Sequence, residues 1–330
     1  MKIVVTERIA EVGIYYLREN GFEVNACFGI AQADLLQDIG RYDGLIVRST
    51  TQVNQALLER ASCLKIVGRA GNGLDNIDLE ACTARGIPVI NTPAANAVST
   101  AEMAVALIFS ACRNIPQAYR AGKSRDFRRS AFCGSELEGK TAGIIGLGRI
   151  GAIVSTKLRA LGMRVIAYDP YVAGDRFAEL CVEKCEQLET LLRRADIITL
   201  HVPKNAETTD LIGSRELELC KPGVRLVSIS RAGVINERAL YGALRNGRVA
   251  AAGLDVLEPE PNFELAPEEQ PYWHSLLDLP NAIVTPHMGA STEEAEHKIS
   301  MTLARILIRA FSGETIISVN GVARTPAGRQ

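Results

Sequence analysis

The chain has 330 residues, 47% of them hydrophobic, with 37 basic and 38 acidic side chains and a formal net charge of −1. Length and apolar content suit two cored domains, and the balanced charge supplies no bulk attraction to nucleic acid or a membrane surface. No stretch is long and uncharged enough to span a bilayer, and the charged segment straight after the first apolar run of MKIVVTERIAEVG is unlike a signal peptide, so a cytoplasmic location is expected.

Short apolar runs predict strands at 2–5, 22–26, 43–47, 64–68 and 87–91. Helical patterns lie between them at 12–19, 54–61 and 78–85. This alternation implies a parallel, doubly wound sheet. Thr92-Pro93-Ala94-Ala95-Asn96 interrupts the pattern, and a single long apolar helix is expected over 98–120. A second series of strands follows at 141–145, 163–168, 195–200, 224–229, 250–254 and 281–285, again α/β. The Pro- and Glu-rich segment 258–280 reads as a long surface loop. A last helix is expected over 291–311, followed by a strand-like run at 316–320 that fits best back on the first domain. The expected boundaries are therefore 1–97 with 291–330 for one domain and 98–290 for an inserted one, with the active site in the cleft between the lobes.

Eight cysteines are scattered along the chain, many inside apolar runs, which suits reduced core thiols. Cys181 and Cys185 are the one close pair. They are expected to share a helix face as packing residues, since no second Cys or His pair completes a metal set, and no metal is expected.

The most informative stretch is 141–169. An apolar strand runs into Gly146-Leu147-Gly148-Arg149-Ile150-Gly151, a helix follows to Leu161, and a second strand ends in Asp169. Gly146 permits a tight turn, Gly148 lets a pyrophosphate approach the backbone, and Gly151 lets the helix pack close to the strand. The helix N-terminus offers unpaired N–H groups to phosphates. Asp169 is placed to accept from an adenosine ribose, and its charge would repel a 2′-phosphate, so NAD is expected rather than NADP.

Three further constellations stand at strand ends of the second half: Ser230-Arg231-Ala232-Gly233, Asp255-Val256 leading to Glu258-Pro259-Glu260-Pro261, and Pro286-His287-Met288-Gly289-Ala290. Ligands of doubly wound sheets bind beyond such ends. An arginine there can grip a carboxylate bidentately. Of four histidines, His297 reads as a solvated helix residue, His274 has no evident job, and His201 lines the cofactor cleft without chemistry. His287 is the candidate proton donor and acceptor for an alcohol/carbonyl couple. From spacing alone the alternative is a cap of the last helix.

Gly68-Arg69-Ala70-Gly71-Asn72-Gly73-Leu74-Asp75-Asn76-Ile77-Asp78, the glycine turn and the three strand-end motifs occur in one order. In this the chain resembles the D-isomer-specific 2-hydroxyacid dehydrogenases, and within them most the phosphoglycerate dehydrogenase branch, over essentially its whole length. The resemblance implies a Rossmann NAD-binding domain inserted in a flavodoxin-like substrate domain. It implies that Arg231 binds the substrate carboxylate and carbonyl, and that Glu260 pairs with His287 as the acid/base. Asp255 would hold the nicotinamide carboxamide, and Arg149 and Ile150 would cover the pyrophosphate. Val202, Ser230, Gly289 and Ala290 would complete the cofactor site. The backbone of Ala70 and Gly71 would meet the substrate carboxylate, and Arg48 would bind a phosphate tail. Arg129 is a further available cation.

A homodimer built largely on 98–120 is also implied, with a small anionic 2-hydroxy or 2-oxo acid as substrate and serine biosynthesis as setting. Asn72 and Ala94-Ala95-Asn96-Ala97 depart from the branch's usual residues beside the substrate. That keeps hydroxypyruvate or glyoxylate reduction and a sulfolactate-type substrate open, and beyond enzymes an NAD-sensing corepressor-like role. Ala232, also a departure, matters little. Regulatory C-terminal domains like those of longer phosphoglycerate dehydrogenases are not expected, nor is serine feedback through them.

Overall fold

The computed structural model describes residues 1–261, 263 and 265–322. They form two compact units: Met1–Asn96 together with the segment from Ala290 onward, and Ala97–Gly289 between them in the chain. Residues 323–330, expected to belong with the first, lie outside the described residues.

In the first unit β1 (Lys2–Val5), β2 (Glu23–Ala26), β3 (Gly44–Val47), β4 (Ile66–Arg69) and β5 (Val89–Ile90) alternate with α1 (Glu11–Glu19), α2 (Gln32–Asp38), α3 (Gln55–Arg60) and α4 (Leu79–Ala84). The sheet is parallel in the order β2-β1-β3-β4-β5, the flavodoxin-like winding, with its topological switch between β1 and β3. All four residues of β3 are buried, as expected of a strand covered on both faces. Asn54 and Asp78 cap α3 and α4 by accepting from Leu57 N–H and Ala81 N–H.

The second unit begins with α5 (Ala97–Arg113) and α6 (Ile115–Lys123). Its strands are β6 (Thr141–Ile145), β7 (Arg164–Tyr168), β8 (Glu183–Lys184), β9 (Ile197–Leu200), β10 (Val224–Ser228), β11 (Val249–Leu254) and β12 (Ala282–Val284). Its remaining helices are α7 (Arg149–Ala160), α8 (Gly174–Glu179), α9 (Leu188–Arg194), α10 (Ser214–Leu219) and α11 (Glu237–Arg245). The parallel order β12-β11-β10-β9-β6-β7-β8 is Rossmann winding extended by one strand, and its switch lies between β6 and β9.

The last helix, α12 (Glu293–Phe311), returns to the first unit and packs on α1. Its buried residues Ala295, Ile299, Leu303, Ala304, Leu307 and Ala310 form one stripe. The approach is close because residue 13 is glycine: a Cβ there would lie 2.1 Å from Ser300 Oγ, which itself donates to the Ala10 carbonyl at 2.6 Å.

Four expectations need correction. The helix expected over 98–120 is two helices, bent by 66° at Asn114, which adopts φ +51°. Pro116 has no N–H to donate to the Cys112 carbonyl, and Ser135 N–H takes that acceptor instead at 2.8 Å. Residues 316–320 form no strand. Val89 and Val319 share one backbone bond, and Asn320 Oδ1 takes the Val89 N–H, so a side chain completes the edge. Cys181 and Cys185 share no helix face: Cys181 follows α8 at φ +51° and is exposed, whereas Cys185 follows β8 and is buried. The segment 258–280 is not wholly a surface loop, since Leu276 is fully buried in the core of the second unit. No single helix among the described residues is long and apolar enough to cross a membrane.

Candidate active site

The glycine turn between β6 and α7 has the geometry its residues suggest. Gly146 sits at φ +91°, and a Cβ there would fall 2.8 Å from the His201 carbonyl oxygen. At Gly151 a Cβ would fall 2.1 Å from the Gly146 carbonyl oxygen, so only glycine lets the first turn of α7 rest on the turn below. At Gly148 a Cβ would meet nothing within 4 Å, so the backbone there faces open space at the head of a helix. That cradle fits a dinucleotide pyrophosphate. Arg149 begins α7 exposed, and Ile150 packs partly on the core. Asp169 braces the turn: Oδ2 accepts from Leu147 N–H at 2.8 Å and Oδ1 from Tyr171 N–H at 3.0 Å. Ser230 ties the ends of β9 and β10, donating to the Leu200 carbonyl at 2.8 Å and accepting from Val202 N–H at 3.2 Å.

His201 pairs through Nε2 with Thr199 Oγ1 at 3.0 Å, while Nδ1 is enclosed without a partner. Burial pushes this imidazole down to about 3, so it is neutral at physiological pH and no proton carrier.

Beyond β12, His287 adopts φ +51°, a left-handed conformation uncommon for a non-glycine residue and often found at functional sites. Asp255, buried at the end of β11, imposes it. Its carbonyl accepts His287 N–H at 2.8 Å, its Oδ1 takes Thr285 Oγ1 at 2.5 Å and Met288 N–H at 3.0 Å, and its Oδ2 takes Gly289 N–H at 2.7 Å. The carboxylate expected to hold a nicotinamide carboxamide is thus engaged in shaping the turn that presents His287. Thr292, not His287, caps α12, accepting from Ala295 N–H at 3.1 Å.

His287 Nδ1 lies 3.0 Å from Glu260 Oε2. Nδ1 bound to a carboxylate leaves Nε2 as the nitrogen that faces a reactant. The Phe263 ring stands edge-on to the imidazole at 6.2 Å. Phe263, Tyr272, Leu277 and Val284 join the pair in lining an open, largely apolar pocket of about 450 Å³.

Arg231 is half-buried in the loop after β10, with Nη1 donating to the Ser230 carbonyl at 3.1 Å. Its neighbour Gly233 adopts φ +77°, and the Lys204–Glu258 ion pair at 2.7 Å passes so close that a Cβ there would sit 2.3 Å from Glu258 Oε2.

His274, for which spacing suggested no job, is half of a second His–Glu pair. Its Nε2 lies 2.9 Å from Glu237 Oε2, and both side chains are mostly buried. Its Nδ1 accepts Leu276 N–H at 3.2 Å, which leaves the ring proton on Nε2 to donate to Glu237. Glu237 also accepts the Glu258 backbone N–H, at 3.0 and 3.2 Å. Burial raises the Glu237 carboxyl to about 7 and lowers the His274 imidazole. The pair clamps the Glu258-Pro259-Glu260 turn to the head of α11. Sequence offered no signal for it beyond two polar residues, one at a helix start and one in a loop, far apart in the chain.

In the first unit the expected substrate contacts are internally engaged. Ala70 N–H donates to the Val47 carbonyl at 2.8 Å, and Gly71 N–H donates to Thr92 Oγ1 at 3.1 Å and the Arg69 carbonyl at 2.9 Å. Neither amide is a spare donor, so a substrate would have to displace an internal bond to use one. Arg48 follows β3 as expected but is ion-paired with Glu296 of α12. Ala290 opens the segment leading into α12, and Arg129 lies exposed in a 3-10 turn. Among the described residues no group of His, Cys, Asp or Glu could hold a metal. The buried thiols of Cys82 and Cys220 are pushed up to about 11 by burial, as suits packing residues.

Residues 105–289 match the family model described as D-isomer specific 2-hydroxyacid dehydrogenase, NAD binding domain. The chain is 45% identical over 313 residues to D-3-phosphoglycerate dehydrogenase of Archaeoglobus fulgidus, covering 95% of this chain and 58% of that one. It therefore spans less than two thirds of that relative's length. Among solved structures, the TT0316 protein of Thermus thermophilus superposes with a TM-score of 0.86 at 30% identity, covering 94% of this chain and 97% of that one. D-lactate dehydrogenase of Aquifex aeolicus, complexed with NAD and lactic acid, does so with a TM-score of 0.81 at 27% identity, covering 94% and 95%.

Proposed function

This chain belongs to the D-isomer-specific 2-hydroxyacid dehydrogenase family, and on that premise we propose that it interconverts a small 2-hydroxy acid and its 2-oxo acid with NAD, 3-phosphoglycerate being the leading substrate. The observation that carries this reading is the His287–Glu260 pair at 3.0 Å, held at a strand end of the same unit as a glycine turn open to a pyrophosphate. NAD, when bound, accepts or supplies the hydride.

The rest is work for side chains. His287 takes the hydroxyl proton at Nε2 in oxidation and returns it in reduction, and Glu260 holds the ring in place from Nδ1. Arg231 grips the substrate carboxylate and stabilises charge on the carbonyl oxygen. Gly146, Gly148, Arg149, Ile150 and Gly151 receive the pyrophosphate and Asp169 the adenosine ribose. Val202, Ser230, Gly289 and Ala290 border the cofactor, and Asp255 serves it by holding the 285–289 turn. The first unit is the substrate-binding domain in this reading: there Arg48 serves the substrate tail, and Ala70 and Gly71 lend their amides only by giving up the internal bonds they make; residues 98–290 are the cofactor domain. A homodimer built on α5 and α6 accounts for the exposure of Ile115 and Tyr119. The free cysteines fit a reducing cytoplasm.

The test is NADH oxidation with a panel of 2-oxo acids: phosphohydroxypyruvate, hydroxypyruvate, glyoxylate, sulfopyruvate and pyruvate. The phosphorylated member should give the highest kcat/KM. No turnover with any member would overturn the enzymatic reading.

A further inference from the structure

The end of β3 adjoins the topological switch of the first sheet, where doubly wound folds receive ligands. In this chain the donors at that point already hold anions. The backbone N–H groups of Arg48, Ser49, Thr50 and Thr51 converge on the Glu7 carboxylate at 2.8–3.1 Å. Burial pushes the Glu7 carboxyl up, but the four N–H bonds outweigh it and hold the group below the ordinary carboxylate range. The Arg48 guanidinium is held from two sides, by Glu296 through Nη2 and by the Arg8 carbonyl through Nη1 at 3.2 Å. The Arg48 and Glu296 side chains are 28% and 25% exposed, so the pair is partly desolvated yet reachable from solvent.

We infer that Glu296 is a specificity-determining residue that competes with a substrate's second anion for Arg48 and so sets the tail charge the site accepts. This rests on the reading above, in which Arg48 serves the substrate tail. A phosphate or sulfonate gains the guanidinium only by displacing the Glu296 carboxylate or by lying beside it against like-charge repulsion. A hydroxyl tail meets no such conflict. It can accept from Arg48 and donate to Glu296 while the ion pair stays intact. The Glu7 carboxylate adds a second negative charge close by, so the site takes a phosphate tail less tightly than the Arg48 guanidinium alone would.

Glu296→Gln keeps the side chain's length and removes its charge. On the full chain, binding of 3-phosphoglycerate and of glycerate is measured by calorimetry, and kcat/KM for phosphohydroxypyruvate and hydroxypyruvate by NADH oxidation. The variant should bind 3-phosphoglycerate about tenfold more tightly, the range of one charge-assisted contact, and gain similarly in kcat/KM for phosphohydroxypyruvate. Glycerate and hydroxypyruvate should change by less than about threefold. Glu296→Ala must shift in the same direction, and the gain must vanish when Arg48→Ala is added, because the two residues act as one unit. Equal shifts for both tails, no shift, or no binding of either compound to any form overturns the inference. A selective binding shift without turnover would leave it standing and remove the proposed activity. Turnover with an unchanged substrate ratio would do the reverse.

Discussion

His287 combines a left-handed backbone, a carboxylate partner on Nδ1 and a turn fixed by Asp255. Such over-determination is what holds a residue in a sparsely populated conformation. His287→Ala should lower kcat by roughly 10²–10⁴-fold while NADH binding, followed by fluorescence, stays nearly constant. An unchanged kcat would remove His287 from the chemistry. Glu260→Gln removes the carboxylate that holds Nδ1, so kcat for reduction should fall while NADH binding stays nearly constant, and an unchanged kcat would leave Glu260 without a positioning role. Asp169 makes a separate prediction. Its carboxylate braces the glycine turn beside the place where a 2′-phosphate would sit, so kcat/KM with NADH should exceed that with NADPH. Equal or better use of NADPH would overturn the assignment.

The glycine turn and α7 act as one element. Because a Cβ at residue 151 would lie 2.1 Å from the Gly146 carbonyl, Gly151→Ala must push the helix off the strand. Overpacking of this kind costs about 1–3 kcal/mol, and here the displaced atoms belong to the cofactor cradle. The urea midpoint should fall and NADH binding weaken together. A midpoint within error of the wild type would show that the turn has slack the geometry denies. The loop from 258 to 274 owes its position to a different device. Lys204–Glu258 and Glu237–His274 fasten it at both ends, which keeps Glu260 within reach of His287.

For the molecule as a whole, the partly buried His201, His274 and Glu237 make opposing contributions to the response to pH. His201 is depressed to about 3 and His274 is depressed as well, so both contribute stability that is present above the unfolded value of 6.5. That stability is lost as pH falls through their folded values, because only the unfolded chain takes up the proton readily. Glu237 is raised to about 7, and its contribution has the opposite sign: it is full below 4.5 and lost as pH rises to about 7. Between pH 7 and 5 the two effects oppose. His201→Gln should therefore lose less stability than the wild type on going from pH 7 to 5, and Glu237→Gln should lose more, by urea midpoints. Parallel behaviour of all three proteins would refute the neutral His201 and the raised Glu237. Every strand but the two-residue β8, their parallel direction and the glycine turn were legible from residue order, because strand runs, helix stripes and the backbone needs of Gly146 and Gly151 are local properties. The partners of Arg48, His274 and Asp255 were not legible, nor was the bend at Asn114. Arg48 meets Glu296 across 248 residues, and Asp255 meets a turn more than 30 residues away. Such pairings leave no periodic trace: they form only when packing brings separate loops together and burial makes an unpaired charge too costly to leave.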